Sequence, residues 1–425
     1  MRKIKDSGVA WIGVIPENWQ LLSVGALFKV RNEKVNDTDY PPLSVTKGGI
    51  VPQMESVAKS DATDNRKMVL KNDFVINSRS DRKQSCGVSP LDGSVSLINT
   101  VLYPVPNAPV LPDYLDYLLK NHGFAEEFYR WGHGIVADLW TTRWQEMKNI
   151  FLPIPPVEEQ QKIIFSISTQ MEKVDALIAN VQEQIEKLKA YKQSLITEVA
   201  TKGLDPTAPM KDSGVEWIGE IANTRSVYRL KYLLSTPLQY GANESGGKYT
   251  NDSVRYIRIT DICADGSLKN DENNQYLSEK VASDYVLNDG DVLLARSGGT
   301  VGKSFLYHAE YGASAFAGYL IKADCNRDKL LPEFLVYYTQ SSLYDIWKNM
   351  IFVQATIQNI GANKYSNLEI PIPPVDEQRT LVKELKVRCS KIDSLIHIKQ
   401  QKIEKLEQYK RSLIYEYVTG KKEVS

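Results

Sequence analysis

Two stretches of this chain recur almost letter for letter, and that repetition limits what it can fold into more than any other feature. KDSGVAWIG at residues 5 to 13 returns as KDSGVEWIG at 211 to 219. LPIPPVEEQ at 152 to 160 returns 218 positions later as IPIPPVDEQ at 370 to 378. With the same shift, KVDALI and IEKLKAYKQSLI return as KIDSLI and IEKLEQYKRSLI. A repeat of about two hundred residues is too long for a solenoid unit and suits two domains in tandem. Identity is confined to the ends of each copy. The middles, 20 to 150 and 226 to 368, diverge almost completely.

Each copy is expected to finish in a long helix. The proline pairs Pro155-Pro156 and Pro373-Pro374 suit a helix start, and Glu158-Glu159 and Asp376-Glu377 place acids at the positive end of the dipole. Val174, Val181, Leu188 and Leu195 then recur every seven residues, flanked by Leu177, Ile178, Ile185 and Tyr191. In the second copy Ile392, Leu406 and Leu413 keep the seam with Leu395, Ile396, Ile403 and Tyr409, and Lys399 interrupts it. Seven-residue spacing predicts a coiled-coil-like stripe. A helix over 158 to 200 would reach about 60 Å, more than one small domain needs to cover its core. The expected partner of each helix is the other, paired antiparallel if a two-fold relates the copies; the alternative is two amphipathic helices, each folded onto its own domain. TKGLDPTAP at 201 to 209 reads as a helix stop and a linker.

Familiar catalytic patterns are missing. In ARSGGTVGKS, 295 to 304, the ending Gly302-Lys303-Ser304 suggests a phosphate loop, but the glycine that the P-loop requires five positions before Gly302 is Ser297. DVLLA before it and FLYHAEYGASAFAGYLI after it lack helical periodicity, which predicts a Gly-rich turn between strands. No dinucleotide-binding GxGxxG, no GxSxG and no nuclease-like carboxylate cluster stands out. The four cysteines lie more than sixty residues apart and are expected to be free thiols, and the four histidines form no ligand pair, so no metal site is expected. Basic and acidic residues balance at 52 each, which gives no global argument for nucleic acid or membranes but allows a local basic patch. The start MRKIKDSGVAWIG has no signal-like apolar core, and a cytoplasmic protein is expected.

Two similar domains with variable middles and no active site suggest recognition. Arg66, Lys67, Lys71, Arg79, Arg82 and Lys83 gather against two acids, and NSRSDRKQS at 77 to 85 is almost wholly polar. Arg pairs with guanine and Asn or Gln with adenine, while Lys and Ser serve phosphates, so this loop has the vocabulary of major-groove readout. The candidates here are Asn77, Ser78, Arg79, Ser80, Arg82, Lys83 and Gln84; the alternative is a solvated charged loop. KNDFVI before it matches NDGDVLLA before the Gly-rich loop, which makes the two loops counterparts. In copy two the candidates are Lys248, Arg258, Arg296, Ser297, Thr300, Lys303, Gln354, Thr356, Gln358 and Asn359, with Arg255 nearby.

The doubled layout and its wording resemble the specificity subunit of type I restriction-modification systems. The likeness rests on DSGVAWIGVIPENW, the second DSGVEWIGEI, the two IPPV helix starts, the repeat helices and GDVLLARSGGTVGK, and spans essentially the whole chain. Ala222 and Arg225 depart from the pattern, standing where copy one has Pro16 and Trp19. The resemblance implies an α+β fold with two target-recognition domains, 1–155 and 204–371, and spacer helices at 156–203 and 372–421, antiparallel and coiled-coil-like, in a pseudo-two-fold repeat. Each domain would read half of a bipartite double-stranded DNA target without catalysing anything. It further implies two methyltransferase subunits and translocase-nuclease subunits as partners, with S-adenosylmethionine, ATP and Mg on those subunits and no cofactor on this chain. Rival readings are the specificity subunit of another bipartite methyltransferase-nuclease system, a coiled-coil protein-interaction scaffold, and a P-loop ATPase.

Overall fold

The computed structural model describes residues 2–53, 65–79, 82–134, 140–263, 266–269, 271–353 and 358–424. The fold mixes helices and strands, as expected. The chain divides into two compact units, residues 1–182 with 400–425, and residues 183–399.

Each unit opens on a hairpin whose shape explains the first repeated phrase. Ile4–Asp6 pairs antiparallel with Val14–Pro16 in the first unit, and Met210–Asp212 with Glu220–Ala222 in the second. In the connecting turns the Asp6 and Asp212 carboxylates accept from Gly8 N and Gly214 N at 2.9 Å, and the Ser7 and Ser213 hydroxyls accept from Val9 N and Val215 N at 3.2 and 3.1 Å. Gly8 and Gly214 hold φ of +69° and +74°, a conformation that L side chains rarely adopt. Asp-Ser-Gly is therefore the minimum wording for this turn.

The divergent middles share one frame. In the first unit a four-stranded antiparallel sheet runs Cys86–Val88, Phe74–Asn77, Asn99–Pro104, Phe28–Val30 in spatial order; in the second it runs Ser304–Leu306, Val292–Ala295, Leu320–Ala323, Gln239–Tyr240. Cys86 faces Ile76 and Val88 faces Phe74, and 218 residues on Ser304 faces Leu294 and Leu306 faces Val292. Register therefore repeats where the letters do not, because a sheet needs only apolar residues at the inward positions. The smaller three-stranded sheets differ: all their pairs are antiparallel in the first unit, whereas Ser253–Ile257 and Ser314–Phe316 run parallel in the second.

A strand pair closes each frame, Gln20–Ser23 with Phe151–Ile154 and Ser226–Arg229 with Glu369–Ile372, and delivers the chain to the two prolines. One buried amide then fixes the helix to its frame. Gln160 donates to the carbonyls of Pro109 and Pro155 and accepts from Leu111 N; Gln378 donates to Lys329 and Pro373 and accepts from Leu331 N, all between 2.8 and 3.0 Å. Both side chains are fully buried.

The expected long helices span Val157–Thr201 and Val375–Val418, and they pack together. In the first unit Ile163 and Ile167 share a core with Leu413, Tyr417 and Val418, and Lys410 meets Asp175 at 2.5 Å. In the second, Leu195, Ile196 and Val199 share a core with Leu381, Leu385 and Ile392, Lys192 meets Asp393 at 2.8 Å and Lys399 donates to Gln184 at 2.5 Å. Within each unit, higher numbers on one helix meet lower numbers on the other, so the contact is antiparallel. Each unit uses part of both helices, which differs from each helix covering only its own domain.

The seam needs one correction. Val174, Val181, Leu195, Ile392 and Leu413 are buried and Leu188 and Leu406 half-buried, but Leu177 and Leu395 are 50 and 47% exposed. The stripe advances by alternate steps of four and three, through Ile178, Val181, Ile185 and Leu188 in the first helix. Leu177 and Leu395 lie one position, about 100°, to the side of it.

Candidate nucleic-acid interface

In the first unit the loop after Phe74–Asn77 is a hairpin turn with a second anchor. Asn77 N donates to Ser85 O at 2.9 Å, Ser85 N to Arg82 O at 2.9 Å, and Thr142 N to Ser78 O at 3.0 Å, while Arg79 bridges to Thr141. The Asn77 amide oxygen accepts from Arg79 N at 3.0 Å and holds the turn, and Gln84 takes a left-handed φ of +66°. Arg79 and Arg82 are exposed. Lys83 is tied down, with its ammonium 2.6 Å from Glu126 and over the Tyr129 ring at 4.8 Å. Tyr129 stacks in turn on Trp140, 5.7 Å between centroids.

Several sequence candidates stand elsewhere. Ser78 is buried and its hydroxyl lies 2.9 Å from that of Thr100, so it supports the turn from beneath. Arg66, counted in the basic run, is buried with its guanidinium on Ser94, and Lys67 donates to Asn99 O at 2.6 Å. Both belong to a strand of the small sheet, on opposite faces of it, and each is held by a partner of its own unit. Ser80 lies outside the described residues, as do Gln354 and Thr356.

In the second unit the Gly-rich loop is the matching turn between antiparallel strands Val292–Ala295 and Ser304–Leu306. Its anchor matches too: Ser297 bridges to Asn359 as Arg79 does to Thr141, both partners 218 residues on. Gly298 and Gly302 hold φ of +80° and +84° to make the turn. Arg296, Ser297 and Asn359 are thus brought together, with exposed Gln358 next to Asn359. The Arg296 guanidinium lies over the Tyr240 ring at 4.9 Å, and Tyr319, whose carbonyl accepts from Arg296 N, is 65% exposed. Thr300 and exposed Lys303 sit farther round the turn, the Thr300 carbonyl accepting from Lys303 N. Lys248 is exposed on a separate segment, next to Gly247, which pairs with Tyr276.

Arg258 is tied to neighbours of its own unit. Its guanidinium donates to both carboxylate oxygens of Asp261, at 3.1 and 2.8 Å, and to Asn273 O at 3.0 Å. The bond to Asp261 raises its pKa further, so the charge is permanent and internally matched.

The comparisons with known proteins agree with this frame. Residues 235–408 match the family model described as type I restriction modification DNA specificity domain. The type I restriction enzyme MjaVIII specificity subunit of Methanocaldococcus jannaschii is 26% identical over 64% of this chain, and the match spans 62% of that relative's length. The putative MjaX specificity subunit of the same organism is 23% identical over 96% of this chain and 95% of the relative. The second half of the chain thus carries a match to the type I restriction-modification DNA specificity domain, and the whole chain is similar to specificity subunits. A solved structure described as the structural basis of complex assembly and conformational transition of the type I R-M system has the same fold, with a TM-score of 0.66, 16% identity and coverage of 95% of this chain and 98% of that one.

Ser304 opens a strand and not a helix, so the Gly302-Lys303-Ser304 triplet is part of a hairpin and not of a phosphate loop. Among the described residues no group of His, Cys, Asp and Glu could hold a metal, and no helix is long and apolar enough to cross a membrane. Sequence reading missed Tyr129, Trp140, Tyr240 and Tyr319. The 218 shift could have found Trp140 and Thr141, since it places them opposite Gln358 and Asn359.

The departure at Arg225 proves local. Buried where Trp19 stands in copy one, Arg225 donates to Ala200 O and Val199 O at 2.8 and 3.1 Å, capping the last turn of the first long helix, and meets Glu377 at 3.0 Å. In copy one Arg2 lies 2.5 Å from Glu159, the counterpart of Glu377, and over the Trp19 ring at 5.5 Å. The same positions are filled by different residues.

Proposed function

We propose that this chain is the sequence-reading, non-catalytic subunit of a type I restriction-modification enzyme. Each unit reads one half of a bipartite double-stranded DNA target through its anchored hairpin loop. The two long helices set the distance between the readers and dock two methyltransferase subunits, to which translocase-nuclease subunits add. S-adenosylmethionine, ATP and Mg belong to those partners, and the complex works in the cytoplasm. The domain limits are those of the sequence reading, with recognition domains at 1–155 and 204–371.

One observation carries this reading: the two loops occupy the same place in the same frame but present different side chains, Arg79, Arg82 and Gln84 against Arg296, Gln358 and Asn359. Such a frame lets base contacts change while the spacer stays constant. Balanced charge supports weak DNA binding by the chain alone, with the methyltransferase subunits supplying much of the phosphate contact; tight, steeply salt-dependent binding by the isolated chain would refute that part.

The test exchanges residues 20 to 150 for the same region of a relative and maps methylated adenines genome-wide. One half of the methylated sequence should change and the other stay constant. If both halves change, the two readers are not independent and the proposal fails.

A further inference from the structure

We propose that Arg296 and Asn359 form a base-reading pair in the second unit, with Arg296 taking a guanine edge and Asn359 an exocyclic amine of a neighbouring base. The inference rests on the DNA-recognition reading and deepens it.

Two unpartnered atoms point to it. Arg296 Nε is shielded from solvent and has no hydrogen-bond acceptor among the described residues, although one terminal nitrogen of the same group reaches Gly318 O at 3.5 Å. Asn359 Oδ1 is likewise shielded and has no donor among the described residues. Buried polar groups are nearly always paired, so an orphan donor and an orphan acceptor on adjoining segments each call for an explanation. Their backbones are joined: Ile360 N donates to Arg296 O at 2.8 Å, and Ser297 bridges to Asn359.

The surroundings hold the guanidinium ready. Tyr240 lies under the guanidinium and is itself fixed, its hydroxyl accepting from Ala362 N at 2.9 Å. A Cβ on Gly318 would meet the Asn243 side chain and come 3.2 Å from the Ala242 carbonyl, so the glycine leaves room beside the guanidinium. A stacked guanidinium keeps its planar fork and matches the N7 and O6 acceptors of guanine. The Asn359 amide, whose oxygen is closed to solvent in the free chain, turns outward on binding to take a donor, which adenine N6 or cytosine N4 supplies in the major groove.

The corresponding positions of the first unit are different. Ser78 stands where Arg296 does, with its hydroxyl matched to Thr100, and Thr141 stands where Asn359 does. The pair is therefore specific to the second half-site.

The test selects bound fragments from a randomised double-stranded DNA pool, using the full chain with the subunits that co-purify with it. Arg296→Ala should relax preference at one guanine by about tenfold, and Asn359→Ala should relax an adjacent position, with the other half-site unchanged. Arg296→Lys keeps charge without the fork and should also lose the guanine preference. Uniform weakening across all sequences would assign Arg296 to phosphate and overturn the proposal, as would unchanged preference. Exchange of residues 226 to 368 in the same selection separates the two levels. If it alters one half-site while Arg296→Ala and Asn359→Ala do not, the pair is wrong and the recognition reading stands; if it alters nothing, the recognition reading fails.

Discussion

Lys192 reaches both carboxylate oxygens of Asp393 at 2.8 Å, and the same pair with the copies exchanged, Lys410 and Asp175, meets at 2.5 Å. Each residue stands 218 positions from its counterpart. Both lysines occupy the inner stripe of their helices and are about four-fifths buried by side chain. A polar residue at such a position favours the register that gives it a partner. Reversing Lys192 to Glu should destabilise the chain by about 1 kcal/mol, and adding Asp393→Lys should recover most of that, since the aspartate is half-exposed and screened. A double-mutant cycle by chemical denaturation measures the coupling; independence of the two sites would remove the register argument.

The Gln160 and Gln378 amides make a stronger prediction. Each satisfies two carbonyls and one backbone N–H inside its core. Gln160→Ala and Gln378→Ala should each cost about 3 kcal/mol, because the orphaned backbone groups remain buried. Thermal unfolding of the two variants should show similar losses, given identical bonding.

Arg225 differs because it joins helix ends by charge. Arg225→Met keeps much of the volume but leaves the carbonyls of Val199 and Ala200 and the Glu377 carboxylate without their donor. A loss of about 3 kcal/mol is expected. Trp is the natural replacement in copy one, where Arg2 supplies the charge; Arg225→Trp should therefore stay destabilised unless an arginine is added at the position equivalent to Arg2. Denaturant midpoints of the single and double variants decide this.

Much of the frame was legible because its residues have local jobs. Asp-Ser-Gly specifies a turn, Pro-Pro with acids specifies a helix start, and seven-residue spacing specifies a seam. Site residues were less legible, since whether a polar side chain faces outward depends on neighbours far along the chain. Ser78 pairs with Thr100 and Arg258 with Asp261, and neither pairing shows in the sequence. Leu177 fell outside the seam because a heptad list does not distinguish steps of three from steps of four.

The cysteines give a test of burial. Cys86, Cys325 and Cys389 are buried free thiols, and burial pushes Cys86 to about 12 and raises the other two, so little thiolate exists near neutral pH. Cys263 is partly exposed. Native-state alkylation followed by mass spectrometry should label Cys263 first and leave the others until denaturant is added. Equal labelling of all four would mean the cores open readily.

The loop at 77 to 85 separates support from contact. Ser78→Ala removes a buried hydroxyl pair and leaves Thr100 unmatched, which should cost about 1 kcal/mol of stability. It should leave the recognised sequence unchanged, because that hydroxyl faces inward. Arg79→Ala and Arg82→Ala act oppositely: both side chains are exposed, so stability should change by less than about 0.5 kcal/mol. Discrimination in one half-site should fall by about 1 to 3 kcal/mol for each lost bidentate base contact. Unfolding and DNA-selection measurements on the same three variants provide the comparison. A protein-interaction scaffold would show no change in DNA preference with either arginine removed, and that outcome would withdraw the loop from the reading surface.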